Sequence, residues 1–277
     1  MFARQAECEQ LAQELADIAR GILRTRFRNP MAIETKPDRS PVSQTDLEVE
    51  RALRAHLAER APDHGVIGEE LGEDRPDAEF CWVIDPIDGT KSFVTGRPTF
   101  VTLIALLHRG APVLGVIDQP ILEERWSGGV SRQTEFGGGS AIVRHCPDLA
   151  QAWLGATDPT MFNGALAVGF GSISGRTRQT VWGGDGYLYG QLASGHLDIV
   201  VEADLKWHDM AALVPVVRGA GGQITDWRGA DLTRDSDGLV VASGDARLHA
   251  QALTILNATL EGMDESAQGR AGDSAQS

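Results

Sequence analysis

The sequence is poor in cysteine, in tyrosine and in long apolar runs. Its three cysteines, Cys8, Cys81 and Cys146, are odd in number, widely spaced and without a C-x-x-C pair. That excludes a disulfide scaffold and a thiolate zinc site, and points to a reducing compartment, the cytoplasm. The longest apolar stretch, Phe100 to Leu107, is interrupted by Thr102 and falls far short of the ~20 residues that span a bilayer. Arg4, Glu7, Glu9 and Glu14 leave no apolar h-region at the start of the chain, so no signal peptide is expected. The seven histidines show neither H-x-x-x-H nor H-E-x-x-H spacing, which argues against a zinc hydrolase. There is no G-x-G-x-x-G, no Walker loop and no G-x-S-x-G elbow. Heptads, Gly-X-Y triplets and short repeats are also missing, so fibres, coiled coils and solenoids are excluded.

What the chain does hold is acid. Against 25 basic side chains stand 39 acidic ones, a formal charge of −14. A general nucleic-acid or anionic-membrane binder is not built this way. A small anionic substrate is compatible with that balance only if something cancels the local field, and a bound cation is the usual device. With 42% hydrophobic residues over 277 positions, the chain can bury about three quarters of its unfolded surface.

The periodicity predicts a helix over 3–26, with Leu11, Leu15, Ile18 and Ile22 on one face. A polar stretch from Lys36 follows. Thr45-Asp-Leu-Glu48 then reads as a capping box, which puts Asp46 in the first turn of a helix running to about Arg60. Phe80 to Ile84 reads as a short buried strand stopped by Asp85-Pro86. Phe100 to Leu107 and Pro112 to Ile117 read as two further strands joined at Arg109-Gly110. Residues 127–140 are rich in glycine and suggest hairpin turns or a loop. After about 150, strands and helices alternate: helices over 184–194, 209–219 and 245–260, and strands over 197–201, 222–226 and 239–243. The expectation is an α/β or α+β chain with sub-domains over 1–145 and 146–261, and a disordered polar tail over 262–277.

The chemistry concentrates in Trp82-Val-Ile-Asp85-Pro-Ile-Asp88-Gly-Thr90-Lys-Ser-Phe93. A buried strand delivers Asp85 at its carboxyl end, where open α/β sheets place ligands. Asp88 follows three residues on, so both carboxylates can converge. Gly89 permits close approach of the backbone, and Thr90 can open a helix. Carboxylates call for a hard cation and free helix-start N–H groups for an anion, and metal ions bridging carboxylates to a phosphate satisfy both. Alone, D-x-x-D would be read as a capped turn. Here Gly68-Glu69-Glu70 also follows an apolar piece, and Asp209 sits in Trp207-His-Asp209-Met-Ala-Ala before an apolar helix. Four junction acids, Asp46 included, would repel one another if gathered without a cation, and Mg²⁺ prefers such oxygen ligands.

Taken together, Gly68-Glu69-Glu70, Asp85-Pro-Ile-Asp88-Gly-Thr90 and Trp207-His-Asp209-Met-Ala-Ala resemble the inositol monophosphatase superfamily of Mg²⁺-dependent phosphatases. The resemblance runs from the first helix to about residue 260. It implies a layered α-β-α-β-α sugar-phosphatase fold with two mixed sheets, and commonly a homodimer. By position, it implies Glu69, Asp85 and the Ile87 carbonyl as ligands of a first Mg²⁺, and Asp85, Asp88 and Asp209 as ligands of a second. Asp46 and Glu69 correspond to a weaker third ion, and the Gly89 and Thr90 N–H groups to the phosphate cradle. Glu69, helped by the Thr90 hydroxyl, would orient the attacking water and take its proton.

Asp88-Gly-Thr-Lys-Ser-Phe-Val-Thr-Gly-Arg-Pro98 is most similar to the histidinol-phosphate phosphatases of that superfamily. Inositol phosphatases usually carry Asn at the position of Ser92 and a His soon after. The resemblance therefore implies L-histidinol phosphate as substrate, in histidine biosynthesis. Inositol-1-phosphate or another small sugar or nucleotide phosphate is the alternative, and a metal-binding regulatory protein without activity the distant one. Asp185, Glu202 and Asp209 would face the substrate, with Asp185 and Glu202 on its amine and imidazole end. Asp185 reads equally as a helix cap. Tyr187 and Tyr189 read as packing or as a stacking surface. Lys91 and Arg97 read as surface charges or phosphate guides, Lys36 as a surface lysine or, by the resemblance, part of a loop that covers the metals, and His208 as structural.

Overall fold

A computed structural model describes residues 4–29, 33–35 and 41–274, and side chains over 4–29 and 44–262. The chain opens with α1 (Gln5–Arg26), the short antiparallel pair β1 (Ile33–Thr35) and β2 (Pro41–Ser43), and α2 (Gln44–Arg60). An eight-stranded sheet follows, made of β3 (Gly65–Gly68), β4 (Gly72–Asp74), β5 (Phe80–Asp88), β6 (Val101–His108), β7 (Ala111–Gln119), β8 (Glu124–Gly129), β9 (Arg132–Phe136) and β10 (Gly139–Ser140). Its order is β10-β9-β8-β7-β6-β5-β3-β4, with the short α3 (Thr90–Val94) between β5 and β6. A five-stranded sheet has the order β12-β11-β13-β15-β14. It takes β11 (Trp153–Ala156), β12 (Gln179–Trp182), β13 (Ile199–Glu202), β14 (Gln223–Asp226) and β15 (Val240–Ser243). Around it run α4 (Ala165–Ser174), α5 (Tyr187–Ala193), α6 (Trp207–Met210), α7 (Leu213–Gly219) and α8 (Ala246–Ser274).

Side-chain alternation along the strands sorts these elements into layers. Successive strand residues point to opposite faces. In β5, Trp82 and Ile84 join Leu15, Leu23, Val49 and Leu53 of α1 and α2, while Cys81 and Val83 join Leu188 and Leu192 of α5 and Val216 of α7. Buried on both faces, β5 and β6 read as nearly continuous apolar runs. In β13, Val200 packs into that same central cluster, whereas Ile199 and Val201 pack with Phe170 and Ile173 of α4 and Leu248 and Leu256 of α8. The result is helix, sheet, helix, sheet, helix, which is the layered α-β-α-β-α mixed fold expected from the motifs. Asp118, fully buried on β7, binds Arg20 of α1 and Arg125 of β8, and so pins the outer helix to its sheet.

Several local expectations change. Pro86 does not end its strand: β5 continues through it to Asp88. The pairing with β3 stops at Ile84, and the pairing with β6 shifts register between Asp85 and Asp88. Pro86 therefore lies at a bulge where no ladder N–H is demanded of it. Helix α2 begins at Gln44, so Thr45 is inside the first turn rather than its cap. The 209–219 helix is two helices, α6 and α7. Of the two readings of 127–140, hairpin turns hold: the segment carries the end of β8 and the antiparallel β9 and β10. No sequence signal singled out β11, α4 or β12; α4 carries Gly169 and Gly171, and a Cβ at Gly169 would lie 2.9 Å from Thr259 Oγ1 of α8. Close helix contact, not a break, explains that glycine. Helix α8 runs to Ser274, past the expected stop near 260 and through most of the tail expected to be disordered. Once a helix is nucleated, helix-compatible residues such as Glu265, Ala267 and Gln268 extend it at one hydrogen bond per residue.

His249 of α8 is buried against the second sheet, with Nδ1 3.1 Å from Ser243 Oγ and Nε2 3.0 Å from Thr225 Oγ1. Burial pushes its pKa down to about 4. An unfolded histidine titrates near ~6.5. As pH falls below that value, the unfolded chain takes up a proton that the folded chain refuses. This share of stability is complete above the unfolded pKa and is lost as pH falls through the folded one. Urea midpoints at pH 7 and pH 4.5 are expected to differ less in His249→Gln than in the parent; an identical drop in both would remove His249 from the acid response.

Candidate active site

The site grows from the one parallel pair in the large sheet. β3 and β5 run side by side with Gly68 opposite Ile84, and the Glu69 N–H continues the ladder to the Ile84 carbonyl at 3.1 Å. Glu69 and Asp85 therefore leave the carboxyl ends of neighbouring strands together. The bulge after Asp85 turns the chain back. Asp85 Oδ1 accepts the Ile87 N–H at 3.0 Å, Thr90 Oγ1 donates to the Ile87 carbonyl at 3.1 Å, and Thr102 Oγ1 donates to the Pro86 carbonyl at 2.8 Å. From the other side α6 brings Asp209. Asp209 Oδ2 folds back onto the Lys206 N–H at 2.6 Å.

These loops bring acids within coordination reach of one another. Oxygens of Asp85, Asp88 and Asp209 lie within 4.8 Å of each other, and so do ligand atoms of Glu69, Asp85 and His208. Asp85 is only 2% exposed. Burial, then the charges of Glu69, Asp88 and Asp209, push its carboxyl well above the ordinary range. Burial, then Asp185 and Asp209, do the same to Asp88. Asp209 is raised too, chiefly by burial. Such a cluster is relieved by shared protons or by a cation, and the carboxylate oxygens together with the Ile87 carbonyl suit a hard divalent ion. The donor set thus fits a metal site.

A second wall closes the site. Gly89 has φ 86° and precedes α3; a Cβ there would lie 2.6 Å from Asp185 Oδ2, so only glycine lets that carboxylate in. Asp88 Oδ2 accepts the Gly186 N–H at the start of α5, joining the two halves of the site. Beside it lies a cavity of about 140 Å³ lined by Asp88, Asp185, Glu202 and Asp209, with Thr157 and Met161. Glu202 accepts the Thr157 N–H and the Tyr189 hydroxyl, both at 3.0 Å. Burial lifts Glu202 to about 7 and Asp185 to about 6.

The structure separates readings that the sequence left open. Asp185 makes no cap on α5: Gly186 stands at that position without a side-chain cap, and its N–H belongs to Asp88. Tyr189 is fully buried, and Tyr187 donates to Glu124 at 2.7 Å and lies edge-on to Trp126, so both pack. Lys91 reaches Asp158 at 3.2 Å, and Arg97 lies over Gly183; both cross between the walls. Asp46 is buried in the first turn of α2 but, among the described residues, is not in either group of ligand-spaced atoms. Lys36 lies outside the described residues. Two residues were missed. His208, read as structural, has a ring nitrogen in the Glu69–Asp85 group. Glu50, fully buried on α2, accepts the Glu70 N–H at 2.8 Å and the Leu71 N–H at 3.2 Å, and pairs with Arg54. It thereby holds the turn that carries Glu69. A polar residue on the apolar face of α2 was its only signal.

A layered fold with converging acids beside a small cavity suits a small-molecule phosphatase. The inositol monophosphatase family model matches residues 4–261. The bifunctional phosphatase IMPL2, chloroplastic, of Arabidopsis thaliana is 43% identical over 251 residues, covering 87% of this chain and 72% of that protein. The histidinol-phosphatase of Mycobacterium tuberculosis is 37% identical over 264 residues, covering 90% and 97%. A solved structure of an inositol monophosphatase from Zymomonas mobilis superposes with a TM-score of 0.84 at 46% identity, covering 93% of this chain and all of that one. The chain belongs to the inositol monophosphatase family and is a phosphoric monoester hydrolase.

Glu50→Gln keeps the shape of the side chain but removes its charge opposite Arg54 and one of its acceptors. It is expected to cost about 1–3 kcal/mol in a urea titration, and to lower phosphate release on the order of tenfold through the loosened Glu69 turn. Full activity in the variant would show that the turn holds itself.

Proposed function

We propose that this chain hydrolyses L-histidinol phosphate to L-histidinol and phosphate with Mg²⁺, in histidine biosynthesis. The observation that carries the reading is the adjacency of two unlike surfaces: the Glu69, Asp85, Asp88 and Asp209 cluster, and a small cavity whose far wall is Glu202 and Asp185. The first suits a phosphate held through cations. The second suits a cationic leaving group, because a substrate ammonium beside a buried carboxylate forms a charge-assisted hydrogen bond. Histidinol-phosphatases among the relatives support this choice.

In this reading Glu69, Asp85 and the Ile87 carbonyl hold a first ion, and Asp85, Asp88 and Asp209 a second. Asp46 with Glu69 serves a third. Magnesium bound there supplies Lewis acidity, making water a nucleophile at neutral pH and neutralising phosphoryl charge. Glu69 orients the attacking water and takes its proton. The Thr90 hydroxyl, already donating to Ile87, keeps its lone pairs for the water. The Gly89 and Thr90 N–H groups, at the start of α3 where no helical acceptor reaches them, hold the phosphate. Asp185 and Glu202, with Asp209, receive the organic end. The buried free cysteines accord with a cytoplasmic protein, and among the described residues no helix is long and apolar enough to cross a membrane. The family's habit supports a homodimer.

Inositol-1-phosphate is the second reading, favoured by the likeness to the inositol monophosphatase from Zymomonas mobilis. A phosphate-release panel with Mg²⁺ separates the two: histidinol phosphate is expected to give the higher kcat/KM, and a large preference for inositol-1-phosphate would reverse the assignment. Glu202→Gln is expected to raise KM for histidinol phosphate on the order of tenfold, and an unchanged KM would take Glu202 out of recognition.

A further inference from the structure

The sequence pattern that marks this site is oxygen-only, but the folded site is not. Residues 207–210 form the one-turn helix α6. Neighbouring helical side chains diverge by about 100°, and His208 and Asp209 accordingly join different groups of ligand atoms that share Asp85. Asp209 folds back on the Lys206 N–H through Oδ2, at 2.6 Å. Its other oxygen, Oδ1, lies 3.5 Å from His208 Nε2. A ring nitrogen of His208 is also within 4.8 Å of ligand oxygens of both Glu69 and Asp85. Three segments distant in sequence thus supply two carboxylates and one imidazole to a single space.

We propose that His208 is a direct ligand of the ion held by Glu69 and Asp85, which makes this half of the site a mixed nitrogen–oxygen centre that prefers Mn²⁺, and transition metals of its kind, to Mg²⁺. The inference rests on the reading of Glu69 and Asp85 as ion ligands and adds to it the choice of metal. Mg²⁺ is a hard ion that gives up its waters reluctantly and takes carboxylate oxygen. Imidazole nitrogen favours first-row transition ions, whose affinity for N/O sites rises along the Irving–Williams order. The group Asp85, Asp88 and Asp209 offers oxygen alone. The two halves of the site therefore differ in taste, with Asp85 common to both. The competing role for His208 is that of a positive counter-charge to Asp209, whose Oδ1 lies 3.5 Å from Nε2.

Electron spin-echo envelope modulation on the full-length protein loaded with Mn²⁺ alone tests the proposal. Directly bound imidazole imposes a ¹⁴N modulation that a counter-charge does not. The parent is expected to show it, and His208→Asn and His208→Gln to lose it. Mn²⁺ affinity, from the free-ion signal, is expected to fall on the order of tenfold in both variants, while Mg²⁺ affinity measured by competition stays within about twofold. Two variants of different shape guard against one failing to fold. Bound Mn²⁺ with no ¹⁴N modulation in the parent, or with modulation that survives in the variants, would overturn the proposal and leave the carboxylate site standing. No Mn²⁺ binding at all would overturn both.

Discussion

The gathering of carboxylates into one largely buried space governs this molecule. Oxygens of Asp85, Asp88 and Asp209 lie within 4.8 Å of one another, and burial first, then neighbouring acids, pushes their carboxyls up. The scaffold exists to impose that proximity. The parallel β3–β5 pair sends two acids out side by side, the bulge at Pro86 returns a third, and α6 brings the fourth from the other sheet. None of these placements favours the apo protein. Each would make sense with a cation to complete it, and the cluster would then trade stability of the empty fold for affinity toward that ion.

Holding such a cluster takes neutral and charged neighbours that brace it from outside. Glu50 ties down the Glu69 turn by its backbone. Thr102 and Thr90 fasten the carbonyls of the bulge. The Gly186 N–H binds Asp88 across the gap between the sheets. Second contacts of this kind fix ligand orientation in metal sites generally. They also explain the glycines: Gly68 and Gly89 are where carboxylates of Glu50 and Asp185 press against backbone.

Much of this was legible in the sequence because its signals are local. Asp85-Pro-Ile-Asp88-Gly-Thr90 declares a strand end, paired acids and a helix start within six residues, and the continuous apolar runs Phe80 to Ile84 and Phe100 to Leu107 announce buried strands. What stayed hidden depends on relations between distant segments. Pro86 looked like a terminus because a sequence does not show that the pairing of β5 with β3 stops at Ile84 and frees the next ladder position. The α4 helix was masked by Gly169, whose reason is Thr259 some ninety positions later. His208 was set aside because neighbouring helical residues diverge, and a sequence does not show that it and Asp209 join different groups of ligand atoms that share Asp85. Glu50 carried no motif, since its work is done on the main chain of another element.

The middle helical layer has a consequence for how the gene can be handled. Residues of α5 and α7 press on the large sheet through Val83 and Leu103, and on the small sheet through Val200 and Ala242, within one continuous cluster. Neither sheet owns that layer. Cutting the coding sequence near residue 145 would release two fragments, each with one oily flank bare, and prone to clump when made alone. Made together, the same flanks become mutual templates, so the molecule lends itself to split-fragment reassembly in which recovered turnover reports that the two pieces have met.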